Sequence, residues 1–247
     1  MLFRSKVGLW TTGVIDFGQR HKQPGQSGVD FTTQGISFGA DMRLSDDLVL
    51  GAGGGFAFDK SKIGKDGTRN EADSWVAAAY GSWRVADDFY VDGVFGAGSI
   101  DFDTRRFTPG STFVFGSRQG DEVFGSISFA WDYDDGRRQF SPYGRLMAAR
   151  ANLGAYTEHG DPIWALAFGE QDVDMLTGTL GVRGAYAYDL GSGVFVPHFR
   201  AEYHRQFEGN GSVLVRYADL LSGPTYSVDP LELDRNSFRF GLGADWR

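Results

Sequence analysis

The chain contains no cysteine, only 7 prolines among 247 residues, and no apolar run long enough for a membrane helix, which needs about 18 residues or more. Without cysteine there is no disulfide, no thiolate nucleophile and no thiolate metal site. Proline is scarce while glycine (36) and aromatic residues (15%) are abundant, which excludes a disordered or linker-rich chain. A net charge of −8 leaves no basic stripe for nucleic acid. The mean hydropathy of −0.29 reads as soluble, except for one class. A membrane β-barrel alternates lipid-facing and lumen-facing residues, so its hydropathy averages out. The opening "MLFRSKVGLW" lacks the apolar stretch and small-residue cleavage site of a signal peptide. The codons CTC-TTC-CGA-TCT, a string in a widely used sequencing adapter, encode "LFRS". Residues 1–5 are therefore read as a non-native leader and 6–247 as one β domain.

What the chain has is period-two alternation nearly from end to end, with no helical stretch. It predicts strands near 6–18, 30–44, 47–60, 71–86, 88–104, 119–134, 138–155, 170–188, 193–208 and 235–247. Most exceed the ~5–6 residues of a soluble strand and suit the ~9–11 tilted residues that cross a bilayer. The joins alternate. "LSDD", "VADD", "DDGRR" and "DLGSG" are tight. "QRHKQPGQSGV", "SKIGKDGTRNE", "TRRFTPGSTFVFGSRQG" and "YTEHGDPIWALAFGE" are long and polar, and 208–234 is the longest, with room for a hairpin extending its flanking strands. Outer-membrane barrels have this asymmetry of short periplasmic turns and long external loops.

Each strand has an apolar and a polar parity. Phe195, Phe199, Ala201 and Tyr203 oppose His198, Arg200, Glu202 and His204; Ile127, Phe129 and Trp131 oppose Ser126, Ser128 and Asp132. A soluble core would have to accommodate ten faces this bulky from one sheet. A closed barrel reverses the problem, with aromatics toward lipid and mixed charges around a wet lumen. Aromatics also gather near strand ends, at Trp10, Phe17, Trp75, Trp83, Phe89, Tyr133 and Trp246, where headgroup-level rings are favoured.

Candidate chemistry is sparse. "GISFG" (Gly35 to Gly39) fits the Gly-x-Ser-x-Gly elbow around Ser37, but the elbow needs a strand-to-helix turn and the alternation runs straight through. "GAGGGF" lacks the Lys-Ser or Lys-Thr of a phosphate loop. His198 and His204 share a face with Glu202, yet six strand residues span ~20 Å, too far for one metal. The acidic pairs fit no twelve-residue calcium loop. No catalytic residue, cofactor or metal site is expected.

Several stretches resemble the C-terminal translocator β-domain of bacterial autotransporters (type V secretion). They are "VDFTTQGISFGADMRLSDDLVLGAGGGFAFDKSKIG", "AAAYGSWRVADDFYVDGVFGAGSIDFDTRR", "FSPYGRLMAAR", "GEQDVDMLTGTLGVRGAY", "VPHFRAEYHRQFEG" and "DRNSFRFGLGAD". The resemblance implies an all-β, antiparallel, up-and-down transmembrane barrel of twelve strands in the Gram-negative outer membrane, ten of them present here. It also implies an N-terminal passenger, joined by a linker helix through the pore, and insertion by the barrel-assembly machinery. The chain begins almost at the first strand and stops before the family's last hairpin. As a translocator it would have no active site, and its wall would be a hydrophilic conduit. Strand parity gives the pore-lining candidates: Asp16, Asp41, Arg43, Arg84, Asp92, Arg145, Arg183, Arg200, Glu202, His204, Arg239 and Asp245. The alternatives are a stand-alone porin or adhesin barrel, and a soluble β enzyme built around Ser37.

Overall fold

The computed structural model describes residues 6–22, 27–220, 222–228 and 235–246. The leader assigned to 1–5 lies outside them. Ten long strands follow one another: β1 (Val7–Arg20), β2 (Val29–Arg43), β3 (Leu48–Ile63), β4 (Thr68–Ala86) and β5 (Phe89–Phe107). They continue as β6 (Phe113–Trp131), β7 (Arg138–Leu153), β8 (Gln171–Tyr186), β9 (Val194–Asn210) and β10 (Asn236–Trp246). Each pairs antiparallel with its sequence neighbours, β1 to β10 in order. Among the described residues β1 pairs only with β2 and β10 only with β9, so this sheet has two free edges. The consecutive, up-and-down order is what tight turns between long strands produce.

The expected strands are present, but the external joins differ from the sequence reading. "SKIGKDGTRNE" and "TRRFTPGSTFVFGSRQG" are mostly strand: β3 runs to Ile63 and β4 starts at Thr68, while β5 and β6 meet across 108–112. Their polar residues belong to wall that continues past the bilayer, where both faces meet water and the apolar alternation fades. The two longest joins build wall as well. Tyr156–Thr157 pairs with Leu166–Phe168 in step with the β7–β8 register, and Val213–Tyr217 pairs with Tyr226–Val228 in step with β9–β10. The 208–234 join does extend its flanking strands, within its described residues.

Burial separates the two zones. In the membrane-height part the large outward side chains stay uncovered by protein, as at Leu9, Ile36, Phe38, Phe56, Phe95, Phe129, Leu180, Phe199 and Leu242. Near the turns, the Phe89–Trp131 and Phe195–Trp246 ring pairs lie side by side. Buried apolar residues concentrate in the external extension instead: Val114, Ala165, Ala167 and Val215. There Glu158, with its side chain 2% exposed, pairs with Arg106 and accepts the Leu166 N–H at 2.9 Å. Arg106 also donates to the Trp164 carbonyl at 2.9 Å.

Candidate functional site: the polar face of the sheet

Directly paired residues in an antiparallel sheet share a face, so register locates the charged candidates. One row runs Arg43–Val49–Ser82–Asp92–Ser128–Arg145–Thr179–His204. A second runs Arg84–Tyr90–Ala130–Tyr143–Gly181–Glu202–Arg239. Asp41, Arg183, Arg200 and Asp245 stand at even steps from these rows along β2, β8, β9 and β10. Asp16 joins them through its partner Thr33 on β2. All twelve lie on one face. The exposed Phe, Leu and Trp residues of the belt lie on the other.

Large side chains on the polar face need glycine beneath them. Trp10 on β1 reaches over the sheet to bond its indole Nε1–H to the Tyr80 hydroxyl on β4. A Cβ on Gly39 would stand 2.5 Å from Trp10 Cζ2, and one on Gly51 would stand 2.5 Å from Tyr80 Cε2. The "GAGGGF" segment thus clears space for neighbouring rings. Trp10 was expected at the lipid headgroup level; register puts it on the polar face, because its even position pairs with Gly39 and not with Phe38.

The most connected part of the face is on β7–β9. Glu202, buried at 6% exposure, accepts bonds from the Tyr143 hydroxyl and the Arg200 guanidinium. His204 Nε2 lies 3.2 Å from its other oxygen, and His204 Nδ1 lies 2.9 Å from Thr179 Oγ1. Arg200 Nε also donates to the Tyr143 hydroxyl at 2.9 Å. His198 Nδ1 stands 3.7 Å from Asp245. Arg84 binds Asp47 at the β2–β3 turn at 2.6 Å, and Arg183 lies 3.5 Å from Asp132. The side chains of Asp16, Asp41, Arg43, Asp92, Arg145 and Arg239 make no ion pair or hydrogen bond among the described residues. Parity found the charges but passed over Tyr143 and Thr179, which share it and complete the network.

Ser37 sits within straight β2, paired with Thr12 and Gly55, with no strand-to-helix turn around it. That geometry lacks the sharp bend that exposes a nucleophile elbow.

A family model described as "Autotransporter beta-domain" matches residues 9–247. The chain belongs to this autotransporter β-domain family. Among solved structures, the translocator domain of autotransporter NalP from Neisseria meningitidis is similar at 14% identity, covering 98% of this chain and 88% of that one, with a TM-score of 0.71. The β domain of the Bordetella autotransporter BrkA is similar at 15% identity, covering 97% and 98%, with a TM-score of 0.62. These barrels share the fold. Esterase EstA of Pseudomonas aeruginosa is 21% identical over 96% of this chain and 38% of its own length. Lipase 1 of Photorhabdus luminescens is 26% identical over 70% and 27%. The chain thus spans well under half of these relatives. The autotransporter β-domain is an integral outer-membrane translocator of a passenger.

Proposed function

We propose that the polar face is the wall of a hydrophilic conduit for the passenger, and that the twelve polar residues named above are its lining. The observation that carries this reading is their common face, opposite a belt of exposed Phe, Leu and Trp residues. A conduit tolerates charge on one face because water and facing counter-charges limit the desolvation cost, while lipid does not. We take 6–247 as the barrel domain and 1–5 as a non-native leader. The free edges of β1 and β10 support closure by two further strands, since each unpaired backbone group in lipid costs several kcal/mol. A linker helix within the pore and insertion by the barrel-assembly machinery belong to the same reading. Ester hydrolysis, the activity in the relatives' names, is assigned to the exported part. Residues 6–247 carry none of it, and purified refolded protein that hydrolyses a p-nitrophenyl ester would overturn that assignment.

The absence of cysteine makes the facing directly testable. Single cysteines at Arg200 and Arg239, and at Phe199 and Leu242, are placed in protein inserted into lipid vesicles. A membrane-impermeant thiol reagent labels the first pair and spares the second. Equal labelling of both pairs would exclude the conduit assignment.

A further inference from the structure

On the polar face, a cavity of about 130 Å³ is lined by Asp92, Ser128, Ala130, Tyr143, Arg145, Arg183 and Arg200. Three guanidiniums converge on it from three adjacent strands. Arg183 and Arg200 stand directly opposite each other in the β8–β9 register. Like charges so placed repel, and a sheet does not gain from pairing them. Both cations flank the Tyr143 ring, at 5.8 and 5.9 Å from its centroid. Arg200 is engaged by Glu202 and Arg183 more distantly by Asp132. The Arg145 side chain makes no ion pair or hydrogen bond among the described residues. Arg239, one register row away opposite Glu202, is in the same position.

The wider face shares this polarity. On its β7–β10 arc the candidate lining has Arg145, Arg183, Arg200 and Arg239 against Glu202 and Asp245. On the β1–β5 arc Asp16, Asp41 and Asp92 stand against Arg43 and Arg84. Arg84 is already bound to Asp47. Positive charge therefore collects on the β7–β10 wall, and the cavity is where it is densest.

We infer that this cavity is an oxyanion site, which takes the carboxylate of an Asp or Glu side chain on polypeptide occupying the conduit. A guanidinium presents planar, forked donors that match a carboxylate, and Ser128 supplies a hydroxyl donor beside them, the Tyr143 hydroxyl being committed to Glu202. A volume of about 130 Å³ holds a few waters, each of ~30 Å³, or one carboxylate and its methylene. Asp92 lines the same cavity and opposes the ligand, so it sets an upper limit on affinity and keeps the contact releasable. The site thus favours acidic stretches of passenger or linker as transient holding points on the wall. The inference rests on the conduit reading.

The test uses the protein refolded in detergent, with titration calorimetry of a short glutamate-rich peptide and, as the smaller probe, inorganic phosphate. Both bind in competition, and Arg145→Gln weakens both by about tenfold or more, as expected for loss of a charge-assisted bond. Asp92→Asn strengthens both, a direction that a folding defect does not produce. Lys62→Gln, on the other face of the sheet, leaves both unchanged. Phosphate binding without peptide binding would replace the polypeptide carboxylate by a free anion as ligand and overturn the assignment. So would binding that ignores both Arg145→Gln and Asp92→Asn. Bilayer conductance of the same sample separates the two readings. A conducting protein that binds neither probe loses the site but keeps the conduit, and a non-conducting, uniformly labelled one loses the conduit.

Discussion

The membrane-height wall and its external extension are built from the same strands in the same registers, yet they pack by opposite rules. Above the bilayer, β5, β6 and the two added hairpins bury Val114, Ala165, Ala167 and Val215, and they close a charged pair inside. Within the bilayer, Phe199 and Leu242 point away from the protein, and the polar Glu202 and Thr179 are among the buried residues. The difference is one of solvent. Water expels apolar surface inward, whereas lipid accepts it and expels polar groups. A strand as long as β6, at 19 residues, crosses both solvents and changes rule part-way.

The sharpest break in that comparison is predicted at the extension's ion pair. Arg106→Met strands the buried Glu158 carboxylate and is expected to cost about 3–5 kcal/mol locally. Hydrogen exchange should show 154–170 opening while β1–β3 stay protected; uniform protection would mean that the pair is not structural. Next comes one substitution in two solvents. Phe199→Arg, on the lipid-facing belt, should cost ~2–4 kcal/mol in urea titrations of vesicle-inserted protein. Phe115→Arg, on the same outward face of the extension, should stay within roughly 0.5 kcal/mol. Similar values at both sites would erase the boundary between the zones.

A smaller effect separates the two faces at membrane height. Gly51→Leu collides with Tyr80 and is expected to cost about 1–3 kcal/mol. Its neighbour Ala52→Leu projects into lipid and should be near neutral, read from the temperature at which gel mobility changes. The smallest effect is acid-linked and confined to the extension. The Thr112 hydroxyl, at 2.6 Å, and the Ile163 and Trp164 amides hold Asp161 below the ordinary carboxylate range. A lowered folded-state value contributes stability that is complete above the ordinary aspartate value of ~3.9 and lost as pH falls through the lowered one. Amide exchange at Ile163 and Trp164 should therefore show unchanged opening between neutral and mildly acidic pH, and open only below that range. Loosening near pH 6 would contradict this.

Much of the wall was legible in the chain. Alternation placed all ten strands within a few residues, except that β6 begins at Phe113 and not near 119. It also put all twelve charged candidates on one parity, and register keeps them together. The extension was misread because polarity on both faces looks like loop: "KDGTRNE" and "STFVFGSRQG" are hydrophilic and lie in or beside strand. Trp10 was misplaced for a related reason. An aromatic near a strand end suggests the interface, yet Trp10 shares the parity of Asp16, and its pairing with Gly39 puts it on the polar face.

The sequence by itself determined strand number, the two faces and the lipid-facing sign of the apolar one, because these depend on a period of two and on which groups lipid tolerates. The tertiary structure decided what meets across strands: Glu202 beneath Tyr143, Arg183 opposite Arg200, Trp10 over Gly39 to Tyr80, and Arg106 against Glu158. Those contacts depend on register, which is set by turns and bulges many residues away. A shift of one residue would leave composition and periodicity unchanged while reassigning every partner.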